Sequence, residues 1–143
     1  MSCEELEQVR KALETTPVTL KYGFNHRYHY SVLEAKKLIE DGKLGDLLWI
    51  RGVYGKAGSI DYHQNWRNFK KYSGGGILMD QGIHMLDLFH HLSGKCFDVE
   101  SALLTKSFWD VEVEDNAIIS LKSDKVIATM HSSATQWRHK FLI

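Results

Sequence analysis

The stretch from Gly74 to Gly94 constrains the fold most. Three consecutive glycines, Gly74-Gly75-Gly76, lead into an apolar segment that predicts a helix over 77–92, about four turns long, and Gly94 closes it. Downstream of that helix the pattern changes to strands, predicted near 97–108, 115–122, 125–133 and 136–143, with Ser123-Asp124 suited to a tight hairpin loop.

Upstream, residues 3–15 predict a short amphipathic helix, with Leu6, Val9 and Leu13 at helical spacing and Thr15-Thr16-Pro17 as its end. Val18, Leu20, Tyr22 and Phe24 alternate, which predicts a strand over 18–24. Ser31 and Glu34 have the spacing of a capping box at the start of a second helix. Val32, Ala35, Leu38 and Ile39 form that helix's apolar face, and Gly42 is a left-handed stop. Residues 47–57 predict a long strand around Trp49, Ile50, Val53 and Tyr54, followed by a polar, aromatic loop over 58–73. Helix, strand, helix, strand, helix and then several strands is an α+β order, with helices packed on one face of an open, largely antiparallel sheet. Its 143 residues suffice for one domain with a core. The last run, 137–143, still reads as strand where it stops, and the expectation is that the natural chain continues beyond Ile143.

Charge and composition exclude several classes of partner. Eighteen basic and eighteen acidic residues cancel, so no electrostatic term favours nucleic acid or an anionic membrane. No apolar run reaches the length that spans a bilayer. The N-terminus, Met1-Ser2-Cys3-Glu4-Glu5, is polar and acidic where a signal peptide is basic and then apolar. Cys3 and Cys96 stand far apart in no paired pattern, as expected of reduced thiols in a cytoplasmic protein.

Three clusters carry chemistry. In the first, Asp80, His84 and Asp87 interrupt the apolar helix, with Asp80 and His84 four residues apart on one helical face. Burying such groups is costly unless they are paired or used, and a carboxylate beside an imidazole suits it to general-base work near neutral pH. The same spacing also serves a satisfied hydrogen bond with no catalytic role. A metal site on His84, His90 and His91 is disfavoured, because His90 and His91 face different sides of the helix and zinc needs convergent ligands. The glycines permit close approach of another backbone or a flat ligand. They make no dinucleotide fingerprint, since G-x-G-x-x-G would require glycine where Met79 stands, and no P-loop is present. The second cluster, Gly23-Phe24-Asn25-His26-Arg27-Tyr28-His29-Tyr30, offers Asn25, Arg27 and two histidines for hydroxyls or phosphate, or else caps the helix beyond it. In the third, Tyr62, His63, Trp66 and Arg67 could stack on and bind a sugar, or Trp66 could simply anchor the loop.

Together these segments resemble the Gfo/Idh/MocA oxidoreductase family. The match runs through the 23–29 segment, Gly42-Lys43-Leu44-Gly45, Ile50-Arg51-Gly52, the 74–87 segment and Val113-Glu114-Asp115-Asn116-Ala117. The resemblance implies a two-domain NAD(P)-dependent enzyme whose C-terminal domain is similar to that of dihydrodipicolinate reductase. It further implies that residues 1–24 are the last helix and strand of a Rossmann domain and 25–143 an incomplete C-terminal α/β domain. By the same analogy His84 is the general acid/base, Asp80 orients it or binds substrate, and Asn25, Arg27, Trp66 and Arg67 contact a sugar or polyol. The family's glycine-rich fingerprint and E-K-P lysine are missing, so NAD or NADP is expected in the parent enzyme and not on this chain alone. Tyr30 stands where the family often has proline. A homo-oligomer through the open sheet is expected. Two other readings remain: a standalone carbohydrate-binding or oligomerisation module of the same fold, and a metal-dependent lyase or isomerase on Asp80, His84 and Asp87.

Overall fold

The computed structural model describes residues 3–143; Met1 and Ser2, which open the polar N-terminus, lie outside the described residues. Five strands form one sheet: β1 (Trp49–Gly55), β2 (Asp98–Thr105), β3 (Asn116–Ser123), β4 (Val126–Ser133) and β5 (Lys140–Leu142). Their order is β2-β3-β4-β1-β5. Every pairing is antiparallel except that of β1 with β4. The consecutive strands β2, β3 and β4 can fold back on one another directly. β1 lies far upstream and reaches β4 only by a long crossover, which delivers it parallel. The loop between β3 and β4 is Asp124-Lys125, one residue later than expected, with Asp124 at φ 48°, a left-handed conformation that Asp tolerates.

The helices are α1 (Cys3–Thr15), α2 (Tyr30–Glu40), the single turn α3 (Lys70–Ser73) and α4 (Ile83–Ser93). α4 lies on the sheet. Its Met85 and Phe89 pack into Ile50, Ile119, Leu121, Ala128 and Met130. The helix approaches so closely at Gly52 that a Cβ there would stand 2.8 Å from Met85 Sδ and 2.9 Å from Phe89 Cζ. α2 covers the far side of α4, with Val32 against Leu88 and Leu92. The core is therefore a stack of sheet, α4 and α2, each fully buried Leu, Met or Phe contributing about 1.5–3 kcal/mol. The opposite sheet face is open, and Trp49, Leu103, Ile118 and Ile127 on it are half exposed or more. No helix among the described residues is long and apolar enough to cross a membrane.

Several local expectations are corrected. Residues 18–24 form no strand, and Val18, Leu20 and Tyr22 are exposed. Alternation alone cannot make a strand, since its N–H and C=O groups need a ladder partner, and none of the sheet strands pairs with this segment. The capping box also fails. α2 begins at Tyr30, so Ser31 is already inside it, and no side chain caps its start. The first free N–H groups, of Val32 and Leu33, go to the His29 carbonyl instead. The loop over 58–73 resolves into short helical turns, Tyr62–Gln64, Trp66–Asn68 and α3. The long helix starts as a wide π turn, Leu78–Gly82, before it becomes α4. Gly42 and Gly94 stop their helices at positive φ, as expected.

Gly52→Ala is expected to cost about 1–3 kcal/mol, because Met85 and Phe89 must shift. Gly23→Ala, with nothing within 4 Å of its Cβ, is expected to change stability by about 0.5 kcal/mol or less. Urea midpoints of the two variants at unchanged m-value measure the difference.

Candidate functional site

The site is built at the start of the long helix, where the glycines bring the chain against the beginning of β3. Gly76 meets Glu114 so closely that a Cβ would stand 2.1 Å from its carbonyl oxygen. Ile77 N–H donates to that carbonyl at 3.0 Å. Glu114 Oε1 accepts from the N–H of Gly76 at 2.9 Å and of Leu78 at 3.2 Å. A carboxylate there satisfies free helix-terminal donors and complements the helix dipole. The close approach permitted by the glycines is thus used by the protein's own backbone.

The π turn then carries Asp80. Its i→i+5 bonding rotates side chains relative to an α-helix, and such turns recur at functional sites. The expected Asp80–His84 hydrogen bond is not formed. Asp80 instead accepts from Arg67 Nε at 3.0 Å and Gln81 Nε2 at 2.9 Å, and Lys56 Nζ stands 3.7 Å away. Arg67 also lies over the Trp66 ring, 4.5 Å from its centroid. Trp66, Arg67, Asp80, Met79 and the glycine segment enclose a cavity of about 140 Å³, with Trp66 53% exposed at its edge.

His84 sits one turn on, in a second group of rings. His26 meets it edge-on at 4.8 Å between centroids, Phe24 at 6.0 Å, and Tyr54 lies 6.2 Å away. His84 Nδ1 is buried with no hydrogen-bond partner. His26 hydrogen-bonds the Tyr54 hydroxyl and His29, both at 3.2 Å, and stacks on Phe141 of β5. Burial, with the neighbouring His84 and His29 imidazoles, holds His26 below the usual histidine range. Burial, helped by the Asp80 charge, pushes the Tyr54 phenol up. The same two causes, with Asp115 added, push Tyr62 up to about 12. Tyr54 therefore links the two groups, lying against His84 and feeling Asp80.

The remaining expected residues divide. Arg27 makes a two-pronged ion pair with Asp87, through Nε at 2.8 Å to Oδ2 and through Nη2 to Oδ1. It ties the 25–28 turn to α4, so its guanidinium is engaged by the protein itself. The same pairing raises Arg27 above the ordinary arginine value. Asn25 is exposed at the start of that turn, beside the two residues that touch His84. His90 and His91 do not join the site: His90 Nδ1 bonds the Lys95 carbonyl, and His91 is held below the usual histidine range by burial and by the Arg27 and Lys36 charges. Among the described residues no three His, Cys, Asp or Glu side chains converge as metal ligands, and Cys3 and Cys96 are exposed and unpaired.

Sequence reasoning missed Tyr54, Lys56, Phe141 and Asp115 as participants. Tyr54 carried a usable signal, since two-residue periodicity puts it on the face opposite Arg51 and Val53, but which face the helix would cover was not readable. Asp115 is 1% exposed. Burial alone would raise its carboxyl, yet the N–H groups of Trp109, Phe108 and Ser107 and the Asn116 amide more than offset this and hold it low. Its place in the 113–117 segment of the family match marked it in the sequence, but not the buried carboxylate role.

Comparison with known proteins places the chain in a family. The family model described as GFO/IDH/MocA C-terminal domain matches residues 32–142. Levoglucosan dehydrogenase of Pseudarthrobacter phenanthrenivorans is 33% identical over 104 residues, covering 71% of this chain and 27% of that protein. Glucose-6-phosphate 3-dehydrogenase of Bacillus subtilis is 32% identical over 131 residues, covering 89% and 34%. The solved structure of levoglucosan dehydrogenase in complex with NADH aligns with TM-score 0.84 at 25% identity, over 96% of this chain and 40% of that one. The chain thus spans about a quarter to a third of the length of these curated relatives.

The ion pair and the buried acid can each be tested by stability. Arg27→Ala leaves Asp87, 6% exposed, without its partner and is expected to cost about 1–3 kcal/mol, while adding Asp87→Ala should restore part of the loss; chemical denaturation of the four proteins in a double-mutant cycle measures the coupling. Asp115 contributes stability that is present above the unfolded carboxylate pKa, about 3.9, and lost as pH falls through its lower folded value. Thermal melts from pH 6 downward should fall more steeply for the wild type than for Asp115→Asn, which is weaker at neutral pH.

Proposed function

Because this chain belongs to the Gfo/Idh/MocA family, matched over that family's C-terminal domain, we propose that it is the substrate-side part of an NAD(P)-dependent oxidoreductase. The reaction is hydride transfer between the dinucleotide and a hydroxyl or carbonyl carbon of a sugar, cyclitol or sugar derivative. The two curated relatives are dehydrogenases of sugars or sugar derivatives by name, which supports that substrate class. In this reading residues 1–24 close a nucleotide-binding domain and 25–143 begin the substrate domain. The whole protein is cytoplasmic and oligomerises through the open sheet face.

The residues present do not fit a dinucleotide cradle. The helix N-terminus that could receive a phosphate already holds the Glu114 carboxylate, and Gly76 lies directly against Glu114. The cofactor is therefore assigned to the rest of the protein, and this chain alone is not expected to bind it or turn over substrate.

The observation that carries the reading is the His84 imidazole, its Nδ1 buried and unpartnered in a wall of aromatic rings, one turn beyond Asp80. A buried polar atom without a partner costs about 1–3 kcal/mol, a cost that persists where the group has work to do. His84 takes the proton from the substrate hydroxyl during oxidation and returns it during reduction. Asp80, steadied by Arg67 and Lys56, accepts a hydrogen bond from a neighbouring hydroxyl and fixes the sugar's orientation. Trp66 offers an exposed face for the sugar ring, and Asn25 lies within reach of a further hydroxyl. Arg27 acts through Asp87, holding the turn that carries His26 and Asn25.

Reading the gene on both sides of the 143 codons and expressing the longer protein tests this. A glycine-rich strand–turn–helix upstream and NAD(P)-linked oxidation of a sugar or polyol are expected. His84→Ala should lower kcat by about 10²–10⁴ with dinucleotide affinity kept. Unchanged kcat in His84→Ala would remove the assigned role, and stop codons flanking the 143 residues would leave a ligand-binding or assembly module as the reading.

A further inference from the structure

His26 lies where its own 25–28 turn meets α4, β1 and β5. The turn is tied to α4 by the Arg27–Asp87 pair. Tyr54 of β1 and Phe141 of β5 stand directly opposite each other across the two strands, with rings edge-on at 5.4 Å between centroids. His26 fills the corner that this cross-strand pair makes. It stacks on Phe141 at 4.6 Å and meets Tyr54 edge-on at 5.3 Å. It also meets the His84 ring at 4.8 Å, with the two planes at 89°. Stacked and edge-on contacts are the arrangements that ring quadrupoles favour at these separations.

Packing alone would admit phenylalanine at this position. The imidazole adds two hydrogen bonds, from Nε2 to the Tyr54 hydroxyl and from Nδ1 to His29 Nε2, both at 3.2 Å. A neutral imidazole has one donor nitrogen and one acceptor nitrogen. His26 therefore accepts from one neighbour and donates to the other, and a doubly protonated ring would have no acceptor left. Burial, with the His84 and His29 imidazoles, holds His26 below the usual histidine range, on the neutral side that this chain of bonds needs. Bonds at both nitrogens and a stack on Phe141 thus fix the His26 ring. His84 is held differently, by ring packing among Phe24, His26 and Tyr54. A ring held by packing takes its orientation from its walls, and the His26 bonds lock two of these three.

We infer that His26 is a positioning residue for His84: bonded to Tyr54 and His29 and stacked on Phe141, it sets the plane of the His84 imidazole toward the reacting hydroxyl. The inference rests on the proton-transfer role proposed for His84 and adds the group that orients it. Asp80 does not do this work, since it is engaged with Arg67 and Gln81. A reacting group displaced by about 1 Å loses on the order of 10²-fold in rate. The substrate contacts assigned to Asp80 and Trp66 stay as they are when His26 changes. Loss of His26 therefore acts on kcat and leaves KM.

The test is steady-state kinetics of the longer protein that contains this chain, with NAD(P) and a sugar or polyol that the wild type oxidises. His26→Phe keeps a ring on the stack and deletes both bonds. Its kcat is expected to fall about tenfold or more, with KM changed by about twofold or less. His26→Gln can restore the bond to Tyr54 and should recover part of the loss. Tyr54→Phe removes a single oxygen and keeps every ring contact, so it serves where His26→Phe folds poorly, and it should lower kcat in the same way. The two Phe changes share one bond, so together they should cost less than the product of their separate effects. His90→Gln, on the same helix but outside the site, should leave kcat unchanged. Wild-type kcat in His26→Phe or in Tyr54→Phe while His84→Ala is impaired, a loss carried by KM, or full additivity of the two Phe changes would overturn this inference alone. A wild type that transfers no hydride, or one indifferent to His84→Ala, would overturn the role of His84 and this inference with it.

Discussion

The contact between Glu114 and the glycine segment governs most of the geometry of this molecule. Two backbone N–H groups end on one carboxylate oxygen, and the missing Cβ at Gly76 lets the two backbones touch. That contact sets where the helix begins relative to β3. It thereby sets the depth at which Met85 and Phe89 enter the core and the height at which Asp80 and His84 emerge above the end of β1. Glu114 also complements the positive helix end, so the donors at the entrance to the helix are already engaged by the protein itself.

The helix does not carry its two polar residues as a stacked pair. The π turn separates them into two environments. Asp80 lies in a polar pocket between Arg67 and Lys56, whereas His84 lies among Phe24, His26 and Tyr54. One environment is charged and hydrogen-bonded, the other aromatic. The separation comes from the hydrogen-bond pattern within five residues, Leu78–Gly82.

Local pattern made the sheet, the order of elements and the site helix legible in the sequence. Strands β3 and β4 alternate strongly, and Gly42 and Gly94 both stand where their helices stop. The failures have a common physical origin. Residues 18–24 alternate as strands do, but a strand exists only with a partner, and pairing is not a local property. Ser31 and Glu34 have the right spacing, but the Tyr30 start moved the cap to His29. Tyr54 and Lys56 were unreadable as site residues because sheet parity tells which residues share a face and not which face the helix covers. Asp80 and His84 stand out in the sequence as polar interruptions of an apolar helix, while their neighbours, Arg67 and Lys56 on one side and His26 and Tyr54 on the other, depend on contacts between segments distant in sequence.

The parity of β1 limits how this sequence can change over generations. Along seven residues, Ile50, Gly52 and Tyr54 face the helix, and Trp49, Arg51 and Val53 face away. A substitution in this strand alters one face at one point. An insertion or deletion of a single residue exchanges the two faces from that point on, turning Tyr54 from His26 and placing a side chain where Gly52 meets Phe89. Length is therefore the property that β1 tolerates least change in, since no insertion or deletion within it leaves both faces as they are.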